Sequence, residues 1–379
     1  MIQARFLAEY IQRDLKKKMV FLGGPRQVGK TTLSLQLLES TNETHPGYLN
    51  WDVPRHRQAI LKDQLPSNQK LIVLDEIHKY RQWRNLLKGL YDSSKSTHSF
   101  LITGSARLDV LRRGGDSLQG RFYSYRLHPL SLFEIDKNCS ASSLKQLLKF
   151  GGFPEPFFTQ DEIEWKRWQN LRKTRVLQED ILSIEAIRQV SELDLLMDIL
   201  PSRVGSSLSI KNLRQDLSVA HETIERYVQI LENLYYCYRI PPYGPPRIKA
   251  VKKEQKCYMW DWSLCENKGA LVENFLASQL LKYCHFHEDV FGEKMELRFL
   301  RDHDGHEIDF IVLKNKQPLF GVECKSGDSQ ISSDIKYYAE RTKIPQFFQT
   351  HLGNKDYEHP GQRTRVLPLN RFCRDILKV

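Results

Sequence analysis

From Met19 to Leu33 the chain reads Met-Val-Phe-Leu-Gly-Gly-Pro-Arg-Gln-Val-Gly-Lys-Thr-Thr-Leu, an apolar run that breaks at glycines and resumes as a leucine-rich helical pattern. This stretch constrains the fold more than any other, because a strand, a glycine loop and a helix at this spacing form a phosphate-binding P-loop. Glycines let the backbone wrap an anion, so that loop N–H groups and the positive end of the helix face it. The residues expected to cradle ATP are Gly24, Pro25, Arg26, Gln27, Val28, Gly29, Lys30, Thr31 and Thr32. Lys30 would reach the β- and γ-phosphates, and the Thr31 hydroxyl would take a ligand position on Mg2+.

Lys70-Leu-Ile-Val-Leu-Asp-Glu76 places four apolar residues before two carboxylates, as a buried parallel strand does when its C-terminal end meets a ligand. It reads as a Walker B motif, with Asp75 holding the magnesium through water and Glu76 as the candidate base that orients the attacking water. Residues 19–22, 47–52, 99–105 and 122–127 supply further strands, with helical patterns between them. The result is an α/β fold around a parallel sheet. Thr103 or Ser105, at the end of its strand, could sense the γ-phosphate. A strand between the P-loop strand and the Walker B strand fits the additional-strand class of P-loop ATPases.

Gly-Pro-Arg-Gln-Val-Gly-Lys-Thr-Thr, Leu-Asp-Glu-Ile-His, Thr-Gly-Ser, and Leu-Gln-Gly-Arg followed by His-Pro-Leu-Ser-Leu-Phe-Glu134 resemble a prokaryotic AAA+-type ATPase family. Members of that family carry a C-terminal domain of poorly known function, and the resemblance runs through nearly the whole chain. It implies that Ser105 takes the sensor-1 position and that Arg121 is a candidate arginine finger. The family often has Gln where this chain has His78, so His78 inherits no role.

Residues 140–205 read as mostly helical, interrupted by Gly151-Gly-Phe-Pro-Glu155, a turn expected to separate the ATPase core from the C-terminal remainder of the chain. Residues 207–217 and 221–233, with Ser-Val-Ala between them, have the layout of a helix-turn-helix, and residues 235–243 would add the wing of a winged helix. Glu222, Glu225 and Glu232 outnumber Arg226 on the second helix, which opposes groove entry into DNA. A structural or partner-binding role suits the same residues.

The last segment carries a helix from about Gly269 to Tyr283, then apolar runs separated by His303-Asp-Gly-His306, a hairpin signal. Asp309, Glu323 and Lys325 give the order Asp…Glu-x-Lys, and Glu323 and Lys325 share a strand face. A three-residue turn centred on Lys316 would set Asp309 opposite Glu323. The arrangement resembles the PD-(D/E)xK nuclease superfamily, whose fold is restriction-endonuclease-like. That resemblance implies a magnesium site on the two carboxylates, a water-activating role for Lys325, and a helix carboxylate at Glu273.

The domains expected are an AAA+-type core at 1–136, a helical and winged-helix region at 137–246, and a nuclease-like domain at 247–379. No apolar run approaches the ~18 residues of a membrane span, so no membrane partner is expected. Seven dispersed cysteines without a Cys-x-x-Cys pair suit a reducing, cytoplasmic compartment. The net charge of +11 permits an anionic partner such as nucleic acid, although a solvated basic surface accounts for it equally. Lys16-Lys-Lys18 and the lysines from Lys249 to Lys256 read as exposed segments. Two functions compete. One is an ATPase acting on nucleic acid that its C-terminal domain cuts. The other is a nucleotide-dependent switch that holds a protein partner and cleaves nothing. Homo-oligomer formation stays open in both.

Overall fold

The computed structural model describes residues 5–104, 118–181, 190–244, 255–327 and 330–379. Ser105 lies outside them, as does most of the Lys249 to Lys256 run. Two units divide the chain after His128.

In the first unit, α1 (Leu7–Leu15) leads into β1 (Met19–Gly23), α2 (Lys30–Leu37), β2 (Tyr48–Asn50), α3 (Pro54–Leu61), β3 (Leu71–Asp75), α4 (Trp83–Ser94), β4 (Ser99–Thr103) and β5 (Phe122–Arg126). The five strands form a parallel sheet in the order β2-β3-β4-β1-β5, so β4 lies between the P-loop strand and the Asp75 strand. Alternation along the strands decides the faces. Ile72 and Leu74 of β3, with Phe100 and Ile102 of β4, pack with Trp83, Leu87 and Leu90 of α4. The opposite parity puts Val73, Asp75, Leu101 and Thr103 on the other face, and the register pairs Asp75 with Thr103.

The second unit begins with α5 (Leu132–Ile135), α6 (Ala141–Phe150), α7 (Pro154–Thr159), α8 (Glu162–Arg175) and α9 (Val190–Ile199). The Gly151-Gly152 turn sits inside this unit and does not divide domains. A Cβ at Gly152 would strike the Trp262 ring, and the Gly152 carbonyl accepts the Leu130 N–H at 2.7 Å. Glu134, the last residue of the His-Pro-Leu-Ser-Leu-Phe-Glu motif, is buried against Lys282 Nζ at 2.6 Å, and the same ammonium reaches Ser131 Oγ at 3.1 Å. Residues 129–134 of that motif therefore pack within the second unit.

Helices α10 (Ile210–Leu217) and α11 (His221–Asn233) precede β6 (Cys237–Ile240), which pairs antiparallel with β7 (Lys256–Met259). The expected boundary at residue 246 falls between these paired strands, inside the unit formed by residues 129–379. Arg239 of β6 takes Glu225 at 2.7 Å and Glu232 at 2.8 Å. One guanidinium thus pairs with two of the three acidic residues on α11 and offsets one of their charges.

Next come α12 (Lys268–Phe291), two turns longer than expected, β8 (Met295–Arg301), β9 (Glu307–Lys314), β10 (Gln317–Cys324), α13 (Ser333–Arg341), β11 (Phe347–His351), β12 (Tyr357–His359), β13 (Thr364–Pro368) and α14 (Leu369–Phe372). Their sheet runs β12-β13-β11-β10-β9-β8, with β8, β9 and β10 antiparallel and β10, β11 and β13 parallel. The β9–β10 turn has two residues, Asn315 and Lys316, both at positive φ, and Lys314 pairs with Gln317. That register alone would miss Asp309 and Glu323 by one. A bulge at Leu319 restores it, so Phe310 pairs with Val322 and the two carboxylates come side by side.

Candidate functional site

The P-loop leaves β1 at Gly24 and enters α2 at Gly29, both at positive φ. A Cβ at Gly24 would strike the Leu127 carbonyl, so the backbone there passes where only glycine fits. Arg5, just before α1, donates to the carbonyls of Val28, at 2.9 Å, and His128. It ties the loop to the end of the sheet. Lys30 is buried, with its ammonium on the loop carbonyls of Gly24 at 2.9 Å and Pro25 at 2.7 Å.

Thr31 Oγ1 lies 3.5 Å from Asp75 Oδ2. Tyr48 of β2 donates to that same oxygen, and Thr103 donates to Asp75 Oδ1 at 2.5 Å. Register explains both. Thr103 is the cross-strand partner of Asp75, and Tyr48 lies opposite Val73, two residues down the same face. Burial raises the Tyr48 phenol well above its ordinary range, and the neighbouring Asp75 charge adds to this, so the hydroxyl stays a donor. Sequence reasoning misses both Tyr48 and Arg5. The position of Tyr48 on the strand beside Asp75 is a signal that could find it, whereas Arg5 carries none.

Glu76 comes next, in the left-handed region at φ 58, and turns its carboxylate off the strand. Its Oε2 accepts no hydrogen bond among the described residues and stands 3.5 Å from Lys79 Nζ and 3.6 Å from His78 Nε2. Burial, then the Asp75 charge, push the Glu76 pKa up, with Lys79 opposing. Arg121 forms a two-pronged pair with Asp92 of α4, Nε at 3.0 Å and a terminal nitrogen at 3.1 Å. The residues at the P-loop suit a magnesium-bound nucleotide, since a hydroxyl and a carboxylate are the hard oxygen donors Mg2+ takes and Lys30 supplies the adjacent cation.

The C-terminal carboxylates also come together, with two lysines among them. Asp309 N donates to Glu323 Oε2 at 3.3 Å, and Cys324 N donates to Asp309 Oδ2 at 2.9 Å. Lys325 Nζ takes Glu323 Oε1 at 2.6 Å. On the other side Lys256, 1% exposed, places its ammonium 3.3 Å from Glu273 Oε1, 3.6 Å from Asp309 Oδ1, and against Glu307. Tyr258 donates to the same Glu273 oxygen at 2.8 Å. Among the described residues no group of three or more His, Cys, Asp or Glu side chains is disposed to hold a metal. Lys256 thus stands beside Glu273 and Asp309, two of the three carboxylates expected to share one divalent ion.

Lys256 also departs from its reading as part of an exposed basic run. Burial lowers its pKa, but Glu273, Asp309 and Glu307 outweigh that and raise it, so it is held charged. Burial and then Asp309 push Glu273 and Glu323 up, with Lys256 and Lys325 respectively opposing. Two further residues hold the cluster in place. Asn274 is fully buried and clamps β7, accepting from Met259 N at 2.7 Å and donating to Met259 O at 2.8 Å. A Cβ at Gly205 would come 2.6 Å from Glu273 Oε2.

Residues 16–136 match the family model of the AAA domain, so the N-terminal unit carries an AAA-type ATPase-like domain. Residues 141–271 and 268–372 match two domains of unknown function, DUF8612 and DUF4143. An uncharacterized protein of Methanocaldococcus jannaschii, MJ1544, is 24% identical over 93% of this chain and 86% of its own. The uncharacterized Rv2008c of Mycobacterium tuberculosis is 27% identical over 70% of this chain, which spans 59% of that relative's length. Among solved structures, the Thermotoga maritima RuvB Holliday junction branch migration motor aligns at 18% identity over 62% of this chain and 87% of its own, with a TM-score of 0.31. The Aeropyrum pernix ORC1 protein in complex with DNA aligns at 12% identity over 72% and 94%, with a TM-score of 0.33. No helix among the described residues is long and apolar enough to cross a membrane.

Proposed function

We propose that this chain binds MgATP at the β1–α2 loop and hydrolyses it. The carrying observation is the approach of Thr31 Oγ1 to within 3.5 Å of Asp75 Oδ2, beside Lys30 at the start of α2. With nucleotide bound, Lys30 would turn from the loop carbonyls to phosphate oxygens, and Thr31, with Asp75 acting through water, would hold the magnesium. Tyr48 and Thr103 fix the Asp75 carboxylate, and Glu76 orients the attacking water. Bound magnesium neutralises charge on the phosphate oxygens.

Arg121 is the proposed finger for a neighbouring copy, since an exposed ion pair such as that with Asp92 contributes little and can be given up. Ser105 is proposed as the sensor on its resemblance alone. Action on or near nucleic acid by the α10–α11–β6–β7 unit as a winged helix is supported by the net charge of +11 and by Arg239, which offsets one of the acidic charges on α11. The α12–β8–β9–β10 layout supports a restriction-endonuclease-like domain, while Lys256 favours the reading in which that domain is catalytically silent and the protein works as a nucleotide-dependent switch.

Titration of the full chain with a fluorescent ATP analogue and Mg2+ tests the nucleotide site. Wild type should bind and Lys30→Ala should lose most of the affinity. Equal binding by both would overturn the assignment.

A further inference from the structure

We infer that Lys256 is a built-in cation that takes the place of the divalent metal in a nuclease-type site, leaving the C-terminal carboxylates closed to Mg2+ and Mn2+. The inference rests on the nuclease-like reading of α12 and β8–β10 and adds the residue that silences it. The two carboxylates that resemblance assigns to a metal, together with the helix carboxylate, converge through register and bulge. Each is already committed to a fixed protein donor. Glu273 Oε1 faces Lys256 and the Tyr258 hydroxyl. Asp309 faces Lys256 with one oxygen and the Cys324 N–H with the other. Glu323 faces Lys325 and the Asp309 N–H.

Lys256 is not a surface side chain that has folded inward by chance. It lies on β7, whose backbone is paired to β6 and clamped by Asn274, and its side chain is 2% exposed. An ammonium on a fixed strand cannot be diluted away, whereas a metal ion must compete for the same oxygens from solution. Its position also differs from that of Lys325, the lysine the motif provides, which bonds Glu323 from the other side. The cluster therefore has one lysine more than a metal-dependent site uses.

The test is Mn2+ binding to the nucleotide-free full chain, monitored by electron paramagnetic resonance, with melting temperature in the presence and absence of Mn2+ as a second readout. Wild type should show no Mn2+ site and no Mn2+-dependent rise in melting temperature that Asp309→Asn removes. Lys256→Met should bind Mn2+ at least about tenfold tighter than wild type, the scale on which groups beside a metal site move its affinity. Asp309→Asn in that background should abolish the gain. Because Lys256→Met leaves carboxylates unpaired, Lys256→Met with Glu307→Gln provides a better balanced variant. A wild-type Mn2+ site lost in Asp309→Asn would overturn the inference and leave the nuclease-like reading standing. A folded Lys256→Met that binds no Mn2+ would overturn both. If neither variant folds, the wild-type measurement decides alone.

Discussion

Asp75 is the residue on which the proposed nucleotide site turns, and its setting is more specific than the motif that announces it. A carboxylate at the end of a buried strand can rotate. Tyr48 and Thr103 hold one oxygen each, which leaves Asp75 aimed toward Thr31. Tyr48→Phe removes one of these donors while keeping the ring. Hydrolysis should fall by about 10–100-fold, the usual effect of losing a partner behind a metal ligand. The fold should barely notice, because one hydrogen bond contributes about 1 kcal/mol net. Steady-state ATPase rates and a urea melt of the same variant separate the two, and an unchanged rate would remove Tyr48 from the site. Asn274 belongs to the opposite class. Asn274→Ala leaves Met259 N and O buried without partners, so it should cost about 1–3 kcal/mol per orphaned group. A denaturation midpoint equal to wild type would contradict the clamp.

At the scale of elements, the β9–β10 hairpin shows how two departures from the expected geometry cancel. The spacing predicts a three-residue turn, and a two-residue turn with a bulge at Leu319 delivers the same pairing. Deleting Leu319 removes only the extra residue, so Phe320 still faces Val312 and Val322 still faces Phe310, and the chain should fold with a regular hairpin. Deleting Leu319 together with Phe320 moves Gly321 onto Val312 and turns the buried face of the rest of β10 outward, so that variant should lose its far-ultraviolet circular dichroism spectrum and its solubility. A single deletion that fails to fold, or a well-folded double deletion, would contradict the register. The strands are readable in the sequence because parallel core strands are long apolar runs and hairpin strands alternate. The bulge is not, since Leu319 is an ordinary apolar residue on a strand that alternates about it. Lys256 is equally hidden. A lysine among lysines looks exposed until β7 is seen paired to β6 and facing Glu273. The Gly151-Gly152 turn misleads for a related reason, because glycines at a break and glycines under a tryptophan look alike in one dimension.

The whole molecule joins an AAA-type ATPase-like unit to a second unit that holds an acidic cluster with Lys256 inside it. If Arg121 serves a neighbouring copy, the inactive Arg121→Ala and Lys30→Ala proteins should regain part of the ATPase rate when mixed, because each supplies what the other lacks. Strict absence of complementation would confine Arg121 to its pair with Asp92. Hydrolysis at the β1–α2 loop is decided by ATP turnover of the full chain with Mg2+, measured as phosphate release for wild type and Glu76→Gln, with bound nucleotide quantified in the same samples. Wild type should turn over slowly, and Glu76→Gln should retain ATP with turnover lost. Equal phosphate release from the two proteins would contradict the assignment of Glu76 and, with it, the proposed hydrolytic site.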